Sequence, residues 1–210
     1  MTDRMIPRSK SIRLCSFIFF LSLFHICFAF SQLKSPLRGG PLKASMSSDL
    51  IYDPVTVSQK VFEQDKRPVI LFDGVCNLCN NAVNLALDWD PNAKLRFSAL
   101  QSNVGRSLLQ ANGREANDIS SIVVVTEKGA FIKSDAILVI SEELTPVPFL
   151  PLKPLAKIGR FVVPQFLRDI IYDGVADNRY NLMGKRNECR FDADGEFENR
   201  FVNDDIAMKK

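Results

Sequence analysis

Val69-Ile-Leu-Phe-Asp-Gly-Val-Cys-Asn-Leu-Cys79 is the stretch from which the rest of the chain can be read. Four apolar residues, Val69 to Phe72, suit a strand covered on both faces. Asp73-Gly74 supplies a sharp turn, and Cys76 and Cys79 then open a segment of helical spacing that runs to Trp89. A thiol at a helix N-terminus faces unpaired N–H groups and the positive end of the helix dipole, and both favour thiolate over thiol. A second thiol three residues on lies one turn away. The pattern is that of a dithiol built to exchange electrons, with Cys76 as the attacking sulfur and Cys79 as the resolving one.

Cysteine arithmetic supports that chemistry against its rivals. Of five cysteines, Cys15 and Cys27 lie in an apolar N-terminal stretch, leaving Cys76, Cys79 and Cys189. Three are too few for a disulfide scaffold, and a zinc ribbon needs a second C-x-x-C. The single histidine, His25, also lies near the N-terminus, so the body has no Ser-His or Cys-His pair and no imidazole for a metal. The competing reading is a binding or assembly module whose C-x-x-C is structural or holds a metal. No cofactor is expected, because the electrons come from a thiol protein or a small thiol such as glutathione.

Other residues carry two readings each. Asp73 is either a proton acceptor for a thiol or the cap of the following helix. Cys189, beside Lys185, Arg186 and Arg190, is either an auxiliary thiol activated by positive charge or an unpaired one. Arg179-Tyr180 either braces the loop or is a surface arginine beside a half-buried tyrosine. Ser134-Asp135 reads as a helix cap and Trp89 as core.

The charge of +3 misleads: seven of 27 Lys/Arg but one of 24 Asp/Glu lie in the first 48 residues, so the remainder is net −3. Such a body has no field to recruit nucleic acid. Arg4, Arg8, Lys10 and Arg13 precede an apolar run from Leu14 to Phe30, which makes residues 1–29 a signal peptide or a retained membrane anchor. Residues 30–48 are serine-rich and basic without acids, like a transit peptide. The combination resembles the bipartite presequence of plastid proteins in algae with complex plastids, with Phe30 after the cleavage point. Secretion, ER residence or membrane anchoring is the alternative address.

Residues 49–66 read as a lead-in, irregular or with a short helix. Leu95–Ala99 alternates as a strand, and Ser102 caps a helix over Asn103–Ala111. Ile122–Thr126 and Ala130–Lys133 form a hairpin about Glu127-Lys128-Gly129, and Ser134 caps a helix over Asp135–Glu143. Pro146, Pro148, Pro151 and Pro154 make 145–154 an extended crossover. A last helix runs from Pro164 to Asn178, and residues 192–210 read as a polar tail. This order gives an α/β, thioredoxin-like domain over 67–191, a small mixed sheet flanked by helices with an extra C-terminal helix.

From Pro68 to Arg190 the chain resembles the DCC family of thiol–disulfide oxidoreductases, named for D-x-x-C-x-x-C, here Asp73, Cys76 and Cys79. The matching blocks are Arg96–Ser102 with Gly105, Ser134-Asp135-Ala136, Phe166-Leu167-Arg168-Asp169, Tyr172-Asp173, Asn178-Arg179-Tyr180, Gly184-Lys185-Arg186 and Cys189-Arg190. The resemblance implies a thioredoxin-like fold and redox activity. Thioredoxins place a cis-proline before the third strand, and Ser120-Ser121-Ile122 has none.

Overall fold

The structure is a computed structural model that describes residues 53–145, 152–185 and 197–205. The presequence, residues 146–151 of the proline-rich crossover, Arg186 and Cys189 lie outside the described residues. Helix α1 spans Pro54–Glu63, where Asp53 accepts a bond from Thr56 N at 2.8 Å and Pro54 takes the first helical position. Proline costs nothing there, because that N–H has no helical partner. The lead-in is thus largely helical.

Strand β1 (Val69–Phe72) pairs in parallel with β2 (Arg96–Ala99) and antiparallel with β3 (Val123–Thr126), which pairs antiparallel with β4 (Gly129–Ile132). The order β2-β1-β3-β4 is that of the thioredoxin-like core. Helix α2 (Asn77–Asp88) joins the parallel pair, and α3 (Asn103–Ala111) follows β2. All four residues of β1 are buried, as a strand covered on both faces requires. Val69 and Leu71 join Val57, Val61, Val104 and Leu108 on the α1/α3 face, while Ile70 and Phe72 join Val83, Leu87, Ala136 and Ile140 on the other. Trp89 packs half-buried against the second cluster.

Ser102 caps α3 through a bond from Gly105 N at 2.9 Å. A Cβ on Gly105 would stand 2.1 Å from Ala99 O, so only glycine lets the helix begin this close to β2.

Helix α4 (Lys133–Glu143) corrects one expectation: it starts at Lys133, with no side-chain cap of its own. Ser134 lies within its first turn and is buried. Its N–H and hydroxyl both bond to the carboxylate of Asp169, so the orphan donor is satisfied from another helix. Arg168 binds Ser134 Oγ and Asp135 Oδ1 at 3.0 and 2.8 Å.

Two further helices follow. Helix α5 (Leu152–Val162) occupies the end of the stretch expected to be extended, and α6 (Gln165–Met183) runs beyond the expected Asn178. Pro154 is third in α5, within the first turn, where its missing N–H breaks no helical bond. No described helix is long and apolar enough to cross a membrane.

Residues 197–205, inside the stretch expected to be polar tail, return to the sheet. Val202 N donates to Phe97 O at 2.8 Å and Ser98 Oγ to Val202 O at 2.9 Å, covering the outer edge of β2. Buried Arg200 reaches Asp90, and its Nε donates to Leu95 O at 2.7 Å.

Candidate functional site

The C-x-x-C loop leaves β1 through a tight turn. Cys76 N donates to Asp73 O at 3.2 Å, and Val75 N to Asp73 Oδ1 at 3.2 Å. Asp73 therefore shapes the turn but does not cap α2. The cap is Cys76 itself, whose Sγ accepts the N–H of Cys79 at 3.4 Å. A sulfur in this position receives a backbone donor and faces the positive helix end together. Asn80 fastens the loop from below: its Nδ2 donates to Gly74 O and Cys76 O, each at 2.9 Å.

The two thiols are free and differ in environment. Cys79 is only partly buried, yet burial first, then its hydrogen bond with Cys76 and the negative charges of Cys76 and Asp73, push its thiol far above the ordinary range; Arg179 opposes the shift. Cys79 stays protonated at neutral pH. Cys76 is 0% exposed. The end of α6 and the residues after it lie against the loop: Cys76 pairs with Lys185 in an isolated antiparallel bridge, Asn77 N donates to Gly184 O at 3.3 Å, and Asn77 Nδ2 donates to Met183 O at 2.8 Å. Gly184 has φ +75, a conformation that L side chains rarely adopt, and this is how the chain turns from α6 onto the loop.

Asp73 is 3% exposed and is the node of the site. Gln101 Nε2 donates to Oδ1 at 2.7 Å, the Tyr180 hydroxyl donates to Oδ2, and Arg179 Nε lies 3.5 Å from Oδ2 as an ion pair. Gln101 also accepts from Gly74 N at 3.0 Å. Burial, then the bond donated to Asp73, raises the Tyr180 phenol above its usual value. The Arg179 guanidinium and the Lys185 ammonium lie 4.5 and 3.9 Å from the centre of the Tyr180 ring.

Arg179 also donates to Ile119 O at 3.0 Å, tying α6 to the approach to β3. There Ile122 N donates to the Tyr172 hydroxyl at 2.8 Å. Burial pushes that phenol up to about 12, with Cys79 among its electrostatic neighbours. No cis peptide bond occurs among the described residues, so this corner is built without the thioredoxin proline.

The structure thus brings Asp73, Cys76 and Cys79 together, and Arg179-Tyr180 braces the loop. Gln101, Asn80, Asn77 and Tyr172 were not foreseen. Gln101 was within reach of sequence reasoning: a parallel β1/β2 pair puts residues just after both strands at one sheet edge. Among the described residues no cluster of three or more His, Cys, Asp or Glu is disposed to hold a metal ion.

The chain also resembles known proteins. The chain is 45% identical to a chloroplastic DCC family protein of Arabidopsis thaliana over 137 residues, which is 65% of this chain and 77% of the relative. It is 38% identical to the uncharacterized protein YuxK of Bacillus subtilis over 127 residues, 60% of this chain and 88% of the relative. No solved structure matches it significantly. Residues 70–185, which run from β1 to the residue bridged to Cys76, match the profile of the DCC1-like thiol-disulfide oxidoreductases, and the chain belongs to that family.

Proposed function

We propose that the protein exchanges a Cys76/Cys79 dithiol for a disulfide with a thiol or disulfide partner, either a protein or a small thiol of the glutathione kind. The observation that carries this reading is the inequality of the two sulfurs. Cys76 Sγ accepts a backbone N–H at the start of α2, while Cys79 is held as a thiol. In the reducing direction the Cys76 thiolate attacks a partner disulfide. A Cys76–partner S–S bond forms, the partner's S–S bond breaks, and the leaving sulfur departs with the electron pair as a thiolate. Cys79 then loses its proton and attacks the sulfur of Cys76. The Cys76–Cys79 disulfide forms, and the second partner sulfur leaves as a thiolate. Two electrons pass to the partner, and the reverse sequence oxidises a partner dithiol.

Asp73 is the acceptor for the proton of Cys79, supported by its burial and its electrostatic influence on that thiol. Because Cys76 has no exposed surface, attack on a partner requires its surroundings to open, and the backbone bridge to Lys185 is one contact that would have to yield. The same burial is the observation behind the rival reading, in which the cysteines only pack. A plastid address is supported by the presequence pattern in residues 1–48 and by the relative described as chloroplastic.

The deciding measurement is a redox titration of the dithiol. A reversible two-electron step is expected between roughly −300 and −120 mV, where thiol-exchange proteins lie. Its absence overturns the redox reading in favour of packing cysteines. Cys79→Ser should in addition accumulate partners as mixed disulfides through Cys76.

A further inference from the structure

Among the described residues, helices α5 and α6 carry an exposed apolar surface. Phe161, at the end of α5, is 93% exposed, and Val162, Phe166 and Ile170 are each more than 60% exposed. Leu155 and Ile158 extend the same face back along α5. The inner side of α5 is made of buried Ala156 and of Gly159, which faces Leu138 of α4.

The charge around this face is segregated. Residues 152–168 contain Lys153, Lys157, Arg160 and Arg168 and no acidic residue, within a body that is net negative from residue 49 onward. Arg160 pairs with Glu142 and Arg168 with Asp135. Lys153 and Lys157 are exposed and form no ion pair with a described residue. Lys153 and Lys157 share one flank of α5 with Arg160, across the helix from the apolar flank of Leu155, Ile158 and Val162.

We infer that the turn between α5 and α6 docks onto the surface of an anionic lipid bilayer, with Phe161–Phe166 entering the interface and Lys153 and Lys157 meeting lipid phosphates. An amphipathic helix with Leu, Ile and Phe on one side and lysine on the other has the chemistry of an interfacial helix. The spacing fits. At ~1.5 Å per residue, Lys157 sits ~6 Å and Lys153 ~12 Å back along the helix from Phe161, near the headgroup level when the tip is buried by roughly 5–10 Å. A ring as exposed as Phe161 protrudes, and a bilayer accepts a protruding ring where a protein partner needs a matching pocket. The net negative body is repelled by anionic lipid, so the acid-free turn is the part that approaches first.

The test uses the full chain carrying Phe161→Trp, which places the indole at an exposed tip, with the emission of the parent protein subtracted for Trp89. On vesicles of phosphatidylcholine with phosphatidylglycerol, the added tryptophan should shift to the blue and be quenched by acyl-brominated lipid. Lys153→Gln with Lys157→Gln should lower the partition coefficient about 25-fold, at roughly fivefold per lysine. Because the probe reports Phe161 itself, attachment through the N-terminal apolar segment does not mimic the result. A tryptophan that stays unquenched on anionic vesicles overturns the proposal, even if the protein floats with them. Equal quenching on pure phosphatidylcholine overturns the assignment to an anionic surface. A blue shift without vesicles that grows with protein concentration assigns the face to a second copy of the chain.

Discussion

Asp73 and Asp90 stand at opposite ends of α2, both nearly without solvent and both facing an arginine delivered by the last third of the chain. Asp90 meets Arg200 at 2.5 Å, and its oxygens also accept from Lys94 N and Leu95 N at 3.0 and 2.9 Å. That carboxylate is closed, and what it holds is the C-terminal segment against the edge of β2. Asp73 meets Arg179 at 3.5 Å, without a hydrogen bond to its Nε, and shares the rest of its capacity between Tyr180, Gln101 and Val75. Its charge reaches Cys79, whose thiol it helps keep protonated. The same residue pair serves adhesion at one end of the helix and electrostatic control at the other. The difference lies in how tightly the arginine neutralises the carboxylate.

The comparison can be broken most forcefully at Arg200. Arg200→Ala leaves Asp90 buried and unpaired, and should lower the unfolding free energy by about 3–5 kcal/mol in a denaturant titration. The redox midpoint of the molecules that stay folded should not move; a shifted midpoint would show that the two ends of α2 are coupled. Asp73→Asn should cost less, about 1–3 kcal/mol, since three donors lose a charged acceptor. Removing the negative charge brings the Cys79 titration down in pH, read from thiolate absorbance. Resolution of a mixed disulfide should nevertheless slow if Asp73 takes the proton, and faster resolution would remove it from that role.

Arg179→Ala works in the opposite direction. The guanidinium lowers the Cys79 pKa, so its loss should move that titration further up and demand higher pH for resolution, with about 1–2 kcal/mol of stability lost through its carbonyl contacts. An unchanged or lower titration would contradict the electrostatic account. Tyr180→Phe should be the mildest, about 1 kcal/mol or less, because Gln101 and Arg179 remain on Asp73. A loss as large as that of Asp73→Asn would make the phenol, and not the arginine, the chief partner of the carboxylate.

Local signals in the sequence were strong where a single element could satisfy itself. The four-residue apolar run became β1, and Ser102 with Gly105 set the start of α3, because the capping oxygen and its N–H donor lie three residues apart. Ser134 has the same look but spends its hydroxyl on Asp169, 35 residues away, and nothing local distinguishes the two serines. Pro146, Pro148, Pro151 and Pro154 point to an extended crossover, yet the last of them lies inside α5. Pro154 breaks nothing, since its position in the first turn has no helical acceptor to lose. The polar composition beyond residue 192 concealed Arg200 and Val202, whose burial depends on partners at Asp90, Leu95 and Phe97.

By itself the sequence determined the strand–turn–helix that carries Cys76 and Cys79, because that element rests on residues within a few positions of one another, and the family, through motif blocks spaced along the chain. Tertiary structure alone decided which groups surround them: Tyr180 and Arg179 on Asp73, Gln101 beneath the turn, and Met183–Lys185 against the loop. Those contacts join residues roughly 30 to 110 positions apart. Only the closure of the parallel β1/β2 pair and the packing of α6 across it bring such groups within hydrogen-bonding distance, where charge and burial can act on a thiol.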